Sequence, residues 1–180
     1  MLRNIWLALL IALAPVASAW AASTYTMVTA EGKVSISYTL TDRDGAFVSA
    51  LLDHARAGGT VRVHHHIVMN AVKGLRWGDL AEAHAYIYIS YNLFDDTYAV
   101  GYNPNAMRTL TDEAEVAAFA LQIKEAPLVM ADKLRTGDEY SVSVTATIQA
   151  ADDKGGWLSY LPLNQLFRKE LYEAFFYIAR

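Results

Sequence analysis

Alternation of apolar and polar residues with a period of two is the strongest pattern along this chain, and it predicts strands. From Lys33 to Leu40, Val34, Ile36, Tyr38 and Leu40 point one way while Ser35, Ser37 and Thr39 point the other. Tyr140, Val142, Val144, Ala146 and Ile148 repeat the pattern, with Ser141, Ser143, Thr145, Thr147 and Gln149 on the opposite face. One apolar face and one wet face is the mark of antiparallel sheet. Residues 24–30 read as an earlier strand joined through Glu31-Gly32, and Thr60 to Asn70 and Ala81 to Phe94 read as two more. Asp95-Asp96 has the residue types of a tight turn into Thr97 to Tyr102, where Tyr98, Val100 and Tyr102 share a face. Gly155-Gly156 is expected to turn the chain into a last short strand, Trp157 to Leu161.

Three stretches carry helical spacing instead. Between Asp44 and Ala57, Phe47, Ala50, Leu51 and His54 share a face, and Gly58-Gly59 supplies a stop. Thr111 is the expected N-cap of a second helix whose apolar set is Val116, Phe119, Ala120 and Ile123, with Pro127 ending it. Near the end of the sequence, Leu163, Leu166, Phe167, Leu171, Ala174, Phe175 and Ile178 form one helical stripe. A helix is the expectation there. A terminal strand is the alternative, because Phe175-Phe176-Tyr177-Ile178 would also pair well in a sheet. The elements add up to a mainly β fold, an antiparallel β-sandwich with two or three short helices at its ends or edges.

The first 22 residues stand apart from that pattern. Arg3 supplies a positive start, Ile5 to Ala14 an apolar stretch, and Pro15 a break before small residues. These are the parts of a secretory signal peptide, with cleavage expected after Ala19 or Ala21. Residues 23–180 are then one β-sandwich-like domain, expected in the periplasm, with an uncleaved anchor helix as the rival reading. Without the leader the chain holds 14 basic against 19 acidic residues, a net charge of −5, which argues against nucleic acid as a partner. There is no cysteine, so neither a disulfide nor a thiolate nucleophile is available and the apolar core must hold the fold.

Candidate chemistry is sparse. In His64-His65-His66 the strand period sends His65 to the core with Val61, Val63, Ile67 and Met69, and sends Arg62, His64 and His66 outward. If this strand pairs in a hairpin with residues 81–91, turning near Gly74-Leu75, His66 lies opposite His84. His64, His66 and His84 then form a three-nitrogen face able to hold zinc with one position open. A one-residue slip of register would dissolve it, and no carboxylate is obviously placed to orient the rings. A plain exposed surface is the simpler reading, with a pH-responsive patch a further alternative. Lys73, Arg76 and Trp77 fall in an expected loop; Arg and Trp are common interface anchors, though Trp77 could instead cap the core or meet lipid headgroups. The tyrosines at 86, 88, 91, 98 and 102 suit cross-strand packing before a carbohydrate platform. No G-x-S-x-G elbow occurs, and Asp95-Asp96 and Asp152-Asp153 fit turns better than acid pairs. The chain is read as not an enzyme, and no cofactor is implied.

Several segments stand in a fixed order: the alternating strand Val34 to Leu40, Ala50-Leu51-Leu52 leading to Gly59, and Arg76-Trp77-Gly78-Asp79. Tyr91 through Tyr98-Ala99-Val100 follows, then Leu134 to Tyr140 with its strand and Leu161-Pro162. Taken together they resemble an exported proteobacterial family, domain of unknown function 4390. Tyr172, Phe175 and Phe176 stand where that family tends to a Trp-bearing end. The family carries no catalytic residues to transfer. What the resemblance implies is an envelope accessory role, beside an inner-membrane protein such as a sensor kinase. The expected function is therefore a non-catalytic binding module for another envelope protein, through Lys73, Arg76 and Trp77. The alternative is a periplasmic sensor of a metal or small ligand, using the histidines.

Overall fold

The computed structural model describes residues 23–72, 80–150 and 169–179. The chain is a β-sandwich built of two antiparallel sheets. Strands β1 (Thr24–Ala30), β2 (Lys33–Thr39) and β7 (Gln122–Met130) form a three-stranded sheet in the order β1-β2-β7. Strands β3 (Val61–Ala71), β4 (Ala81–Asn92), β5 (Thr97–Gly101), β6 (Arg108–Leu110), β8 (Glu139–Ala150) and β9 (Glu170–Ile178) form a six-stranded one in the order β6-β5-β4-β3-β8-β9. Helix α1 spans Ala46–Arg56, helix α2 spans Glu113–Leu121, and a single 3-10 turn lies at Ala131–Lys133.

Period-two patterning explains the layers. Val34, Ile36, Tyr38 and Leu40 are all buried, as are Val61, Val63, His65, Ile67 and Met69 on β3 and Val142, Val144, Ala146 and Ile148 on β8. These faces meet in one core, which Phe47, Leu51, Leu52 and Ala55 of α1 and Val116, Ala120 and Leu121 of α2 complete. Residues of this kind gain roughly 1.5–3 kcal/mol each when fully buried, which commits the inward face and leaves the outward one polar. The expected turn at Glu31-Gly32 is present, both residues having positive φ, and so is the one around Asp95-Asp96. Gly58, at φ 96, stops α1 as expected.

His65 shows how the layers are tied. Its Nε2–H donates to the carbonyl of Ala120 at 2.9 Å, and its Nδ1 accepts from the Tyr38 hydroxyl at 3.0 Å. A carbonyl can only accept, so Nε2 carries a proton, and burial in the core keeps the ring neutral with Nδ1 unprotonated. One side chain of the large sheet thus binds both the small sheet and α2. Burial pushes its pKa down to about 4, and burial also raises that of Tyr38 above the ordinary phenol value.

Four expectations are corrected. Over residues 170–178 the expected terminal helix is a strand, β9, paired along the edge of β8. Leu171, Glu173, Phe175, Tyr177 and Ala179 turn inward while their neighbours face out. The free edge of β8 offers a ladder of backbone partners, and aromatic residues pack better on a pleated surface than on a short isolated helix. The second helix does not run on to Pro127 but ends at Leu121, and Gln122–Met130 is strand β7. Pro127 is tolerated because β7 is an edge strand. The helix is capped not by Thr111 but by Asp112, whose carboxylate accepts from the N–H of Ala114 at 2.9 Å. Tyr102 lies past the end of β5 and is half exposed, so it does not share the buried face of Tyr98 and Val100. The leader, the Gly155-Gly156 turn and the strand proposed at Trp157 to Leu161 lie outside the described residues, as do Leu163, Leu166 and Phe167.

Gly101 closes β5 where the chain doubles back. A Cβ added there would lie 2.7 Å from the carbonyl oxygen of Ala106, a backbone atom that cannot rotate away. Gly101→Ala is therefore expected to cost about 1–3 kcal/mol, read as a drop in the urea midpoint at unchanged m-value. Gly59→Ala has open space at its Cβ and serves as the control.

Candidate metal centre

The outer face of the six-stranded sheet gathers the exposed histidines. On β3 the period of two puts Arg62, His64 and His66 on that face. Strand β4 pairs with β3 in the register expected from the sequence, His66 directly opposite His84 and His64 opposite Tyr86. The hairpin's own turn lies outside the described residues.

The structure adds a carboxylate that sequence reasoning missed. Glu82 shares the outward face of β4 with His84, two residues along, and reaches back toward His66. His66 Nε2 lies 2.7 Å from Glu82 Oε1, and His84 Nε2 lies 3.2 Å from the same oxygen. A carboxylate oxygen accepts, so the His66 ring donates its Nε2–H to it, while His84 Nε2 stands at ion-pair distance from the same oxygen. The signal was present in the sequence as Glu-x-His on one strand, but only the cross-strand register makes it visible.

The rings form a ladder. His66 and His84 stack at 4.9 Å between centroids with 9° between planes, and His64 stacks on His84 at 5.1 Å. Tyr86 covers the other side of His64 at 4.8 Å, with the Arg62 guanidinium 5.2 Å from the Tyr86 ring centre. His64 Nε2 lies 2.9 Å from His84 Nδ1, while its Nδ1 is 3.5 Å from the side-chain nitrogen of Gln149 on β8. Gln149 in turn accepts from Arg62 at 2.7 Å through its oxygen.

Within this ladder, one ligand atom each from His66, Glu82 and His84 lies within 4.8 Å of the others. Tetrahedral zinc, with bonds of about 2.0–2.2 Å, spaces its donors roughly 3.3–3.5 Å apart, so the Glu82 oxygen has to back away slightly from His66 while all three donors stay within the present 4.8 Å. Exposed side chains can make that adjustment by small torsional changes. The three are 37%, 49% and 43% exposed, which leaves a fourth position to water. Two imidazoles and one carboxylate suit a borderline ion such as zinc better than magnesium or calcium. Of the three histidines expected to form the metal face, His66 and His84 are brought together with Glu82. His64 stands one step behind, against the far nitrogen of His84. The other expected site, Lys73, Arg76 and Trp77, lies outside the described residues.

A second feature is a groove of about 570 Å³ between the edges of the two sheets, lined by Tyr25, Met27, Thr29, Phe176, Tyr177 and Ile178. Among the described residues no acid, histidine or lysine lines it. Among the described residues no helix is long and apolar enough to cross a membrane. Comparison with protein-family models, with curated proteins and with solved structures returns no match.

Proposed function

We propose that this protein is a binding module that captures a divalent transition-metal ion, zinc by preference, on the outer face of its larger sheet. The observation that carries the reading is the convergence of His66 Nε2, His84 Nε2 and Glu82 Oε1 on one spot. Glu82 supplies both charge and the third donor. Binding rather than turnover is proposed because the three donors stand on an open, solvent-facing sheet surface. Two further expectations belong to the same proposal. One is that the leader-like first 22 residues direct the domain to the periplasm, and the other, from the likeness to domain of unknown function 4390, is an accessory role there. Docking to an envelope protein through Lys73, Arg76 and Trp77 is compatible with metal capture, but the histidine face is what supports this reading.

The test is calorimetric and thermal. Zinc at about a hundred times its Kd should stabilise the fold by about 2.7 kcal/mol. For a chain of this size that raises Tm by about 5–10 °C. His66→Ala and His84→Ala should each abolish the shift, and Glu82→Gln should shrink it. A wild-type Tm that does not respond to zinc, copper or nickel would dispose of the proposal.

A further inference from the structure

Metal capture depends on which nitrogen of His84 faces the ion. His84 can meet a metal at Glu82 only through the lone pair of Nε2. The hydrogen-bond chain behind it decides whether that lone pair is free.

The chain starts at Arg62, which can only donate. Its guanidinium lies 2.7 Å from Gln149 Oε1, so the amide points its oxygen at Arg62 and its NH₂ at His64. That NH₂ lies 3.5 Å from His64 Nδ1, which must accept, and the His64 proton is therefore on Nε2. His64 Nε2–H then donates to His84 Nδ1 at 2.9 Å. With Nδ1 accepting, the His84 proton sits on Nε2, the nitrogen that stands 3.2 Å from Glu82 Oε1. Three strands, β8, β3 and β4, thus carry one head-to-tail chain that ends by blocking the metal-facing nitrogen.

Metal entry needs the reverse polarity. A neutral imidazole bound through Nε2 keeps its proton on Nδ1 and donates it to an acceptor behind. His84 Nδ1–H would then donate to His64 Nε2, and the His64 proton would move to Nδ1. The number of protons on the two rings is unchanged; each moves from Nε2 to Nδ1. Gln149 must now turn its oxygen toward His64, which aims its NH₂ at Arg62, donor against donor. We infer that Gln149, held by Arg62, is a positioning residue that sets metal affinity by choosing, through His64, which nitrogen of His84 is free. This inference rests on the metal reading.

The experiment compares wild type, Gln149→Glu and Gln149→Leu. Each is titrated with zinc against a chromophoric chelator at pH 7.5, and the imidazole nitrogens of the metal-free proteins are read by long-range proton–nitrogen spectra. A glutamate at 149 can accept from Arg62 and from His64 Nδ1–H together. It should move the His84 proton to Nδ1 before zinc is added and tighten zinc about tenfold, the lower end of what outer partners of metal-bound histidines contribute. Leucine removes the lock without adding charge. It should tighten zinc a few-fold and leave the His84 proton exchanging between both nitrogens. Equal affinity in all three, with the His84 proton on Nε2 throughout, overturns the inference and leaves the metal site standing. Tighter binding in Gln149→Glu alone, with unchanged spectra, assigns the gain to charge and also overturns it. Absence of zinc binding in all three overturns the metal reading itself and this inference with it.

Discussion

Between pH 7 and pH 4 the unfolding free energy of the wild-type chain should fall by about 3 kcal/mol more than that of a His65→Leu variant. The pKa of His65 is held down to about 4 against an ordinary 6.5, because desolvation in the core penalises the charged ring. As pH falls, the unfolded chain takes up the proton first, near pH 6.5, while the folded one resists until about pH 4. Stability is therefore complete above pH 6.5 and drains away through that window, then levels off below it. The gap of about two and a half units, at roughly 1.4 kcal/mol each, sets the size. Urea titrations of both proteins at half-unit intervals measure it. At pH 7.5 the variant itself should be weaker by about 2–5 kcal/mol, since leucine fills the space but leaves the Tyr38 hydroxyl and the Ala120 carbonyl unpaired. A parallel decline in both proteins would show that His65 is not the group responsible.

On β9 the expectation is a contrast between neighbours. Phe175 is buried, stacks on Tyr25 with ring centres 4.6 Å apart, and stands 6.5 Å from Tyr38. Phe175→Ala should cost about 3–5 kcal/mol. Ile178 faces outward at 59% exposure, so Ile178→Ser should change stability by less than about 0.5–1 kcal/mol. On a helix the two residues, three apart, would share one face and both would matter. Denaturant midpoints of the two variants thus read the strand directly, and comparable losses in both would contradict it.

The same two residues show why part of this fold was hidden from sequence reasoning. Leu171, Ala174, Phe175 and Ile178 satisfy a helical period, while Leu171, Phe175 and Tyr177 satisfy a strand period, and the choice depends on whether a neighbouring edge needs a partner. The strands β2 and β8 had no such ambiguity, because serines and threonines alternate with Val, Ile, Ala and Tyr, and on β3 Val61, Val63, Ile67 and Met69 keep the period around the three histidines. Strand β7 was lost for another reason. Opposite Ile36 and Tyr38 stand Ala126 and Ile123, so Ser37 faces two residues at once, and Leu128 is a second extra residue. Glu125 takes φ 53 at the first irregularity and donates its N–H to the Ser37 hydroxyl. Each bulge shifts the alternation by one, which erases period two from the sequence. At the site, the placement of His64, His65, His66 and His84 followed from alternation and a guessed register. Glu82 did not, because a carboxylate on a polar face carries no signal until the strand opposite is known.

Strand β3 lies at the middle of the larger sheet, between β4, its hairpin neighbour, and β8, where Val61 meets Ala150 and Ala71 meets Tyr140. The second of these pairings closes a loop that contains most of the intervening chain, and the entropy of that closure comes before any reward from contact. Until β8 arrives, the apolar face of β3 has one flank open, and a chain stopped after helix α2 lacks the partner strand altogether. Folding is thus expected on the slow, non-local timescale of milliseconds to seconds. A nascent chain spends that interval with an unpaired, histidine-bearing strand edge exposed, the state most open to aggregation or to a holding chaperone.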